Sequence, residues 1–240
     1  MPATAEHAGV LWRGEARHFW LHVPDVADYL VEDGATVTVQ GAPGAAPETI
    51  VQHLLAAPQA VAWMMRGITV LDAAVAVGPH GAVAVAGHAG SGKSTLVAEL
   101  LARGWALVAD GVAPVVVTHG VPHCLPAARS VSCWDRADDV HRDWHPAPAP
   151  LVAMVLLNET QGELEMSDPR AGLNRFVGLH HTRYMGTMTR AVLGNDFFLL
   201  TAGEVARSAV PMVDLARPAG KDSRAELGDL VLGLLTARRP

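Results

Sequence analysis

One of the chain's two lysines, Lys93, stands behind a glycine-rich run and ahead of two hydroxyl residues, in Gly87-His88-Ala89-Gly90-Ser91-Gly92-Lys93-Ser94-Thr95; the other is Lys221. The pattern is GxxxxGKS, and each residue type suits the holding of a polyphosphate. Glycines let the backbone turn its N–H groups inward around an anion. A helix starting at the lysine would aim its positive dipole end at the same anion. Lys93 is placed to act as a point charge on the outer phosphates, and the Ser94 hydroxyl to reach Mg²⁺. Residues 87–95 together form the candidate nucleotide-binding loop.

Two aspartates belong with the loop by position. Asp110 lies seventeen residues beyond Lys93, at the end of the apolar run WALVAD, and Asp72 lies fifteen residues before Gly87. Strands of a nucleotide-binding sheet open their C-terminal ends onto the phosphate site. A carboxylate ending a strand there can hold Mg²⁺ or accept the proton of an attacking hydroxyl. Asp110 also reads as a turn former before Gly111, and Asp72 as an edge residue facing water. Two carboxylates at one site repel unless a cation lies between them, and Mg²⁺ would serve.

The elements around these residues follow from pattern. ITVLDAAVAV (68–77) predicts a strand, GPHG (78–81) a hairpin turn and AVAVA (82–86) a second strand. STLVAELLARG (94–104) carries Leu96, Val97, Leu100 and Leu101 at helical spacing, and Gly104 should stop the helix. Upstream, residues 9–40 read as strands with a turn at Glu32-Asp33-Gly34, followed by two helical pieces broken at Pro58. Downstream, LVAMVLL (151–157) reads as a buried strand with ELEMS (163–167) as its partner. The remainder reads as helical, with VPMVDLA (210–216) as a last strand and 222–237 as a final helix.

The chain has 240 residues, half of them hydrophobic, and a net charge of −6. A globular fold with a real core is expected, and the charge balance argues against nucleic acid as a partner. MPATAEHAGV lacks the basic and apolar regions of a signal peptide, and the apolar run 68–77 is too short to span a bilayer. A soluble cytoplasmic protein without membrane association is expected. Cys124 and Cys133 lack metal-ligand spacing and read as two reduced, partly buried thiols in preference to a disulfide.

The block VLDAAVAVGPHGAVAVAGHAGSGKSTLVAELLARGWALVADG resembles the HPr kinase/phosphorylase superfamily, and most closely the short HPr-kinase-like proteins of peptide natural-product clusters, the lasso-peptide kinases among them. The likeness extends upstream through EDGATVTVQGAPGAAPETIVQHLL and more weakly downstream through ARSVSCW, LHHTRYM and VPMVDLARP. It implies an α/β P-loop domain of the HPr kinase C-terminal (PEP-carboxykinase-like) type over 67–240, after a small β-rich region with helix over 1–66. It implies ATP and Mg²⁺ as cofactors and transfer of the γ-phosphate to a hydroxyl, with a Ser or Thr of a small peptide or protein as acceptor. Relatives in the wider superfamily assemble, so a homo-oligomer is compatible with it.

The resemblance places the family's general base on Asp110. The family's histidine falls on Asp72 and its second aspartate on Gly111, so the phosphorylase half of the activity is not expected. The implied catalytic set is Asp110, Lys93 and Asp72, with Ser94 and Asp110 as metal ligands. Two other functions remain open: a nucleotide-binding regulator without transfer activity, and a small-molecule kinase on the same fold. Outside the loop, His141-Arg142-Asp143-Trp144-His145, with Trp134, Asp135, Asp138 and Asp139, reads as a substrate-contacting loop rather than a zinc site. His181 and Arg183, in HHTRY (180–184), read either as surface residues or as groups that approach the nucleotide.

Overall fold

The computed structural model describes residues 7–15, 17–127, 144–220 and 223–237. Cys133, Trp134, Asp135, Asp138, Asp139, His141, Arg142, Asp143 and Lys221 lie outside them, as does the ARSVSCW stretch. Two sheets carry the α/β architecture. The first is an antiparallel meander of β1 (His7–Ala8), β2 (Trp12–Glu15), β3 (His18–Val23), β4 (Ala27–Glu32) and β5 (Thr36–Gly41). β4 alternates buried and half-buried residues, the pattern of a strand with one face on a core.

Helices α1 (Pro47–Leu54) and α2 (Ala57–Met65) follow. The break between them falls at Leu55 and Ala56, not at Pro58, which lies in the first turn of α2. A proline there gives up only an N–H that has no helical partner anyway. Phe19, Val31, Ala60, Val61, Met64, Val70, Met188 and Val192 form one buried cluster, so the core of the first sheet extends across residues 66 and 67.

Among the described residues the second sheet has nine strands: β6 (Thr69–Leu71), β7 (Ala73–Gly78), β8 (Gly81–Ala86), β9 (Ala106–Asp110), β10 (Ala113–Thr118), β11 (Val121–Cys124), β12 (Ala149–Thr160), β13 (Glu165–Met166) and β14 (Met212–Pro218). Its main order is β6-β10-β11-β12-β8-β7-β9, with β14 also on β12 and β13 on β14. β12 runs parallel to β8 and β14, and β7 runs antiparallel to β8 and β9. The C-terminal ends of β8, β9, β12 and β14 therefore open on one edge, together with the start of β7.

Ala and Val fill these strands because both faces are covered. On one face α3 (Lys93–Ala102) and α7 (Arg224–Thr236) bury Leu96, Val97, Leu100, Leu227 and Val231 against Ala74, Val85 and Val155. Each such aliphatic side chain contributes about 1.5–3 kcal/mol on burial. On the other face α4 (Leu173–His181) and α6 (Asn195–Arg207) bury Leu179, Phe198, Ala202 and Val205; α5 (Gly186–Leu193) packs toward the first sheet.

Two further expectations change. The run 68–77 is not one strand: it breaks at Asp72, with β6 pairing β10 and β7 pairing β8 and β9. ELEMS does not pair with the 151–157 strand: β13 pairs β14, because β12 already has β8 on one side and β14 on the other. No helix among the described residues is long and apolar enough to cross a membrane.

Candidate functional site

β8 ends at Ala86, residues 87–92 form a loop, and α3 begins at Lys93, so the strand–loop–helix context of the GxxxxGKS pattern is present. The glycines answer to geometry. A Cβ on Gly87 would stand 2.5 Å from the Leu157 carbonyl oxygen, so no other residue lets the loop lie this close to β12. Gly92, the N-cap of α3, has φ 101°, in the region that favours glycine, and no side chain caps the helix. The first-turn N–H groups of α3 are thus left without a side-chain partner. His88, Ala89 and Gly90 form the exposed crest, Ser91 is buried beneath it, and Thr95 is exposed on the first turn.

Among the described residues the buried Ser91 hydroxyl has no hydrogen-bond partner. Lys93 Nζ curls back to donate to the carbonyls of Gly87 at 2.8 Å and His88 at 3.3 Å. It also meets Asp72 Oδ1 at 3.1 Å, with side-chain exposures of 10% for Lys93 and 36% for Asp72. Ser94 Oγ donates to Asp110 Oδ1 at 2.9 Å, and Asp110 is 3% exposed. The structure thus gathers Lys93, Ser94, Asp72 and Asp110 at one edge and sorts them into two pairs. The cation beside Asp72 is the lysine ammonium.

Asp110 reaches this place as the last residue of β9, in register with Ala74. Gly111 then turns the chain at φ 81°, and its N–H bonds the Ala73 carbonyl at 3.0 Å. Glycine suits that backbone; an aspartate there would sit in a sparsely populated conformation. Asp72 owes its position to the break between β6 and β7. Its N–H donates to the Thr182 carbonyl at 2.7 Å, and Leu71 bridges Arg183 in antiparallel fashion.

The 182–184 segment therefore docks beside the site through its backbone. The Arg183 guanidinium donates to the His180 carbonyl at 3.0 Å and lies over the Phe198 ring, 5.0 Å from its centre. Burial, then the nearby Arg190, lowers the Arg183 pKa. His181 is exposed at the end of α4. Burial and, after it, the charge of Asp72 push the Tyr184 phenol up to about 12.

Two residues at the loop were not foreseen as site residues. Arg217, near the end of β14, donates from Nε to the Ser91 carbonyl at 2.7 Å, and Glu159 Oε2 lies 3.6 Å from its Nη2. Only the pairing of β14 with β12, which puts Arg217 opposite Glu159, brings them to the loop.

Among solved structures the chain is similar to the Hpr(Ser) kinase/phosphatase from Coxiella burnetii, at 14% identity and a TM-score of 0.40, over 70% of this chain and 91% of that one. No protein-family model and no curated protein matches the chain.

Proposed function

We propose that the protein is an ATP- and Mg²⁺-dependent kinase that transfers the γ-phosphate to a hydroxyl, with a serine or threonine of a small peptide or protein as acceptor. The observation that carries this reading is the Ser94–Asp110 hydrogen bond, 2.9 Å long, at the start of the helix that follows the glycine loop. A hydroxyl and a buried carboxylate are hard oxygen donors, the set that Mg²⁺ takes alongside substrate phosphates. The uncapped first turn of α3 and the left-handed Gly92 fit the polyphosphate itself. When bound, Mg²⁺ neutralises charge on the transferring group.

In this reading the loop amides and Lys93 orient the phosphates, and the Ser94 and Asp110 oxygens would hold the metal. Asp110 also accepts the proton of the attacking hydroxyl. Lys93 must exchange Asp72 and its two carbonyl partners for phosphate oxygens, at little net electrostatic cost because one anion replaces another.

The Lys93–Asp72 ion pair favours a second reading, a nucleotide-binding regulator without transfer activity, since a fixed carboxylate competes with phosphate for the ammonium. Incubation with γ-labelled ATP and a panel of hydroxyl-bearing peptides and small molecules separates the readings. Label transfer that Asp110→Asn suppresses supports the kinase. Nucleotide binding without transfer to any acceptor supports the regulator, and label found only on small molecules supports a small-molecule kinase.

A further inference from the structure

We propose that Arg217 is a positioning residue of the phosphate loop, which fixes the direction of the Gly92 N–H by holding the carbonyl of the same peptide unit. This rests on the reading that the loop binds nucleotide phosphates. Arg217 lies one residue before the end of β14, and the parallel register pairs it with Glu159 on β12. Its side chain is 19% exposed, and Glu159 Oε2 stands 3.6 Å from Nη2. Nε donates to the Ser91 carbonyl at 2.7 Å, and Nη2 reaches the Gly90 carbonyl at 3.5 Å. A Cβ on Gly92 would stand 3.3 Å from Nε, so the guanidinium packs directly against the second half of the loop.

The physical consequence follows from the planar trans peptide. In the unit joining Ser91 to Gly92, the C=O and the N–H point in opposite directions. Arg217 captures the C=O, so the Gly92 N–H faces away from the guanidinium. The preceding amide is spent within the loop, since the Ser91 N–H bonds the His88 carbonyl at 3.1 Å. With φ 101° at Gly92, the peptide on its N-terminal side has no side chain to hold its rotation. A donor on the Ser91 carbonyl supplies that restraint, and it places a permanent positive charge behind the loop. Amides at this part of a phosphate loop serve the inner phosphates, common to ADP and ATP.

The test is calorimetric binding of AMP, ADP and ATP, each with Mg²⁺, to the full chain and to Arg217→Ala and Arg217→Lys. A charge-assisted hydrogen bond of this kind is worth roughly a ten- to hundredfold change in affinity. Arg217→Ala should weaken ADP and ATP by that factor, equally for the two, and weaken AMP, which lacks the β-phosphate, by less. Arg217→Lys keeps the charge and one donor and should recover most of the loss. If the alanine variant does not fold, the lysine variant carries the test with a smaller but equal loss for ADP and ATP. A loss confined to ATP would overturn the proposal, because Arg217 would then touch the γ-phosphate itself. Unchanged affinities with a lowered Tm would also overturn it, and would leave Arg217 a tie between β14 and the loop. Wild-type protein that binds neither ADP nor ATP would remove the underlying reading instead.

Discussion

Asp110 and Asp72 reach the same edge of the large sheet by different routes. Asp110 ends the strand β9, is 3% exposed, and receives the Ser94 hydroxyl. Asp72 sits where one apolar run breaks into two strands, has a side chain 36% exposed, and pairs with Lys93. Each partner is the neighbour of the other on α3, so a one-residue step along the helix separates a hydroxyl–carboxylate pair from an ammonium–carboxylate pair. In the proposed reading the first pair would offer oxygens to a metal, and the second would neutralise the lysine until phosphate replaced it. Similar residues at similar places thus have different surroundings, set by burial and by which helix residue each one faces.

The largest expected effect comes from removing the cation of the second pair. Lys93→Ala should abolish binding of a fluorescent ATP analogue or weaken it strongly, in a variant that stays folded by circular dichroism. Unchanged affinity there would end the phosphate-loop reading and leave Asp72 with a merely structural ion pair.

Next is the buried partner. Asp110→Asn keeps size and hydrogen bonding but removes the charge. Transfer should fall by about 10²–10⁴, the usual worth of a general base, with ATP affinity within a few-fold. Equal rates in the mutant would assign proton acceptance elsewhere, with Asp72 first in line.

A smaller effect is expected at Asp72. A partly exposed ion pair is worth about 0–1 kcal/mol, so Asp72→Asn should free Lys93 and raise ATP affinity by up to about fivefold. A Mg²⁺ titration sharpens the contrast. A raised Mg²⁺ requirement in the mutant would make Asp72 a metal-side carboxylate like Asp110. An unchanged requirement with tighter ATP would keep the two apart.

The smallest effect is on ionisation. The chain has two tyrosines, and the Tyr184 phenol is pushed up to about 12, first by burial and second by Asp72. A tyrosine in the unfolded chain ionises near about 10. Because the folded value is raised, the stability tied to neutral Tyr184 is whole below about 10 and is lost as pH rises through about 12. Near-ultraviolet titration in a Tyr29→Phe background should show this late ionisation. Asp72→Asn should move it down by less than burial moves it up. No movement would place Asp72 too far from Tyr184 to matter.

Much of this was legible in the chain itself. The strand, glycine loop and helix over 82–102 follow from local signals: alternating Ala and Val, glycines where backbone must turn, and leucines at helical spacing. Asp110 as a strand end also follows, since an apolar run stops there before a glycine whose φ of 81° other residues avoid. These features depend on neighbours within a few residues, which is why a linear reading reaches them. The broken strand at Asp72 did not follow, because β6 and β7 look like one apolar run and part only through different pairing partners. Nor did the pairing of β13 with β14, which depends on both sides of β12 being taken. Arg217 is the clearest case. It lies more than a hundred residues from Ser91 in sequence, yet the register of β14 on β12 delivers its guanidinium to the loop. Local sequence therefore determined which residues could meet a phosphate, while long-range strand pairing decided which of them touch. The first is encoded in backbone preference and hydrophobic period, and the second in the mutual burial of segments far apart in the chain.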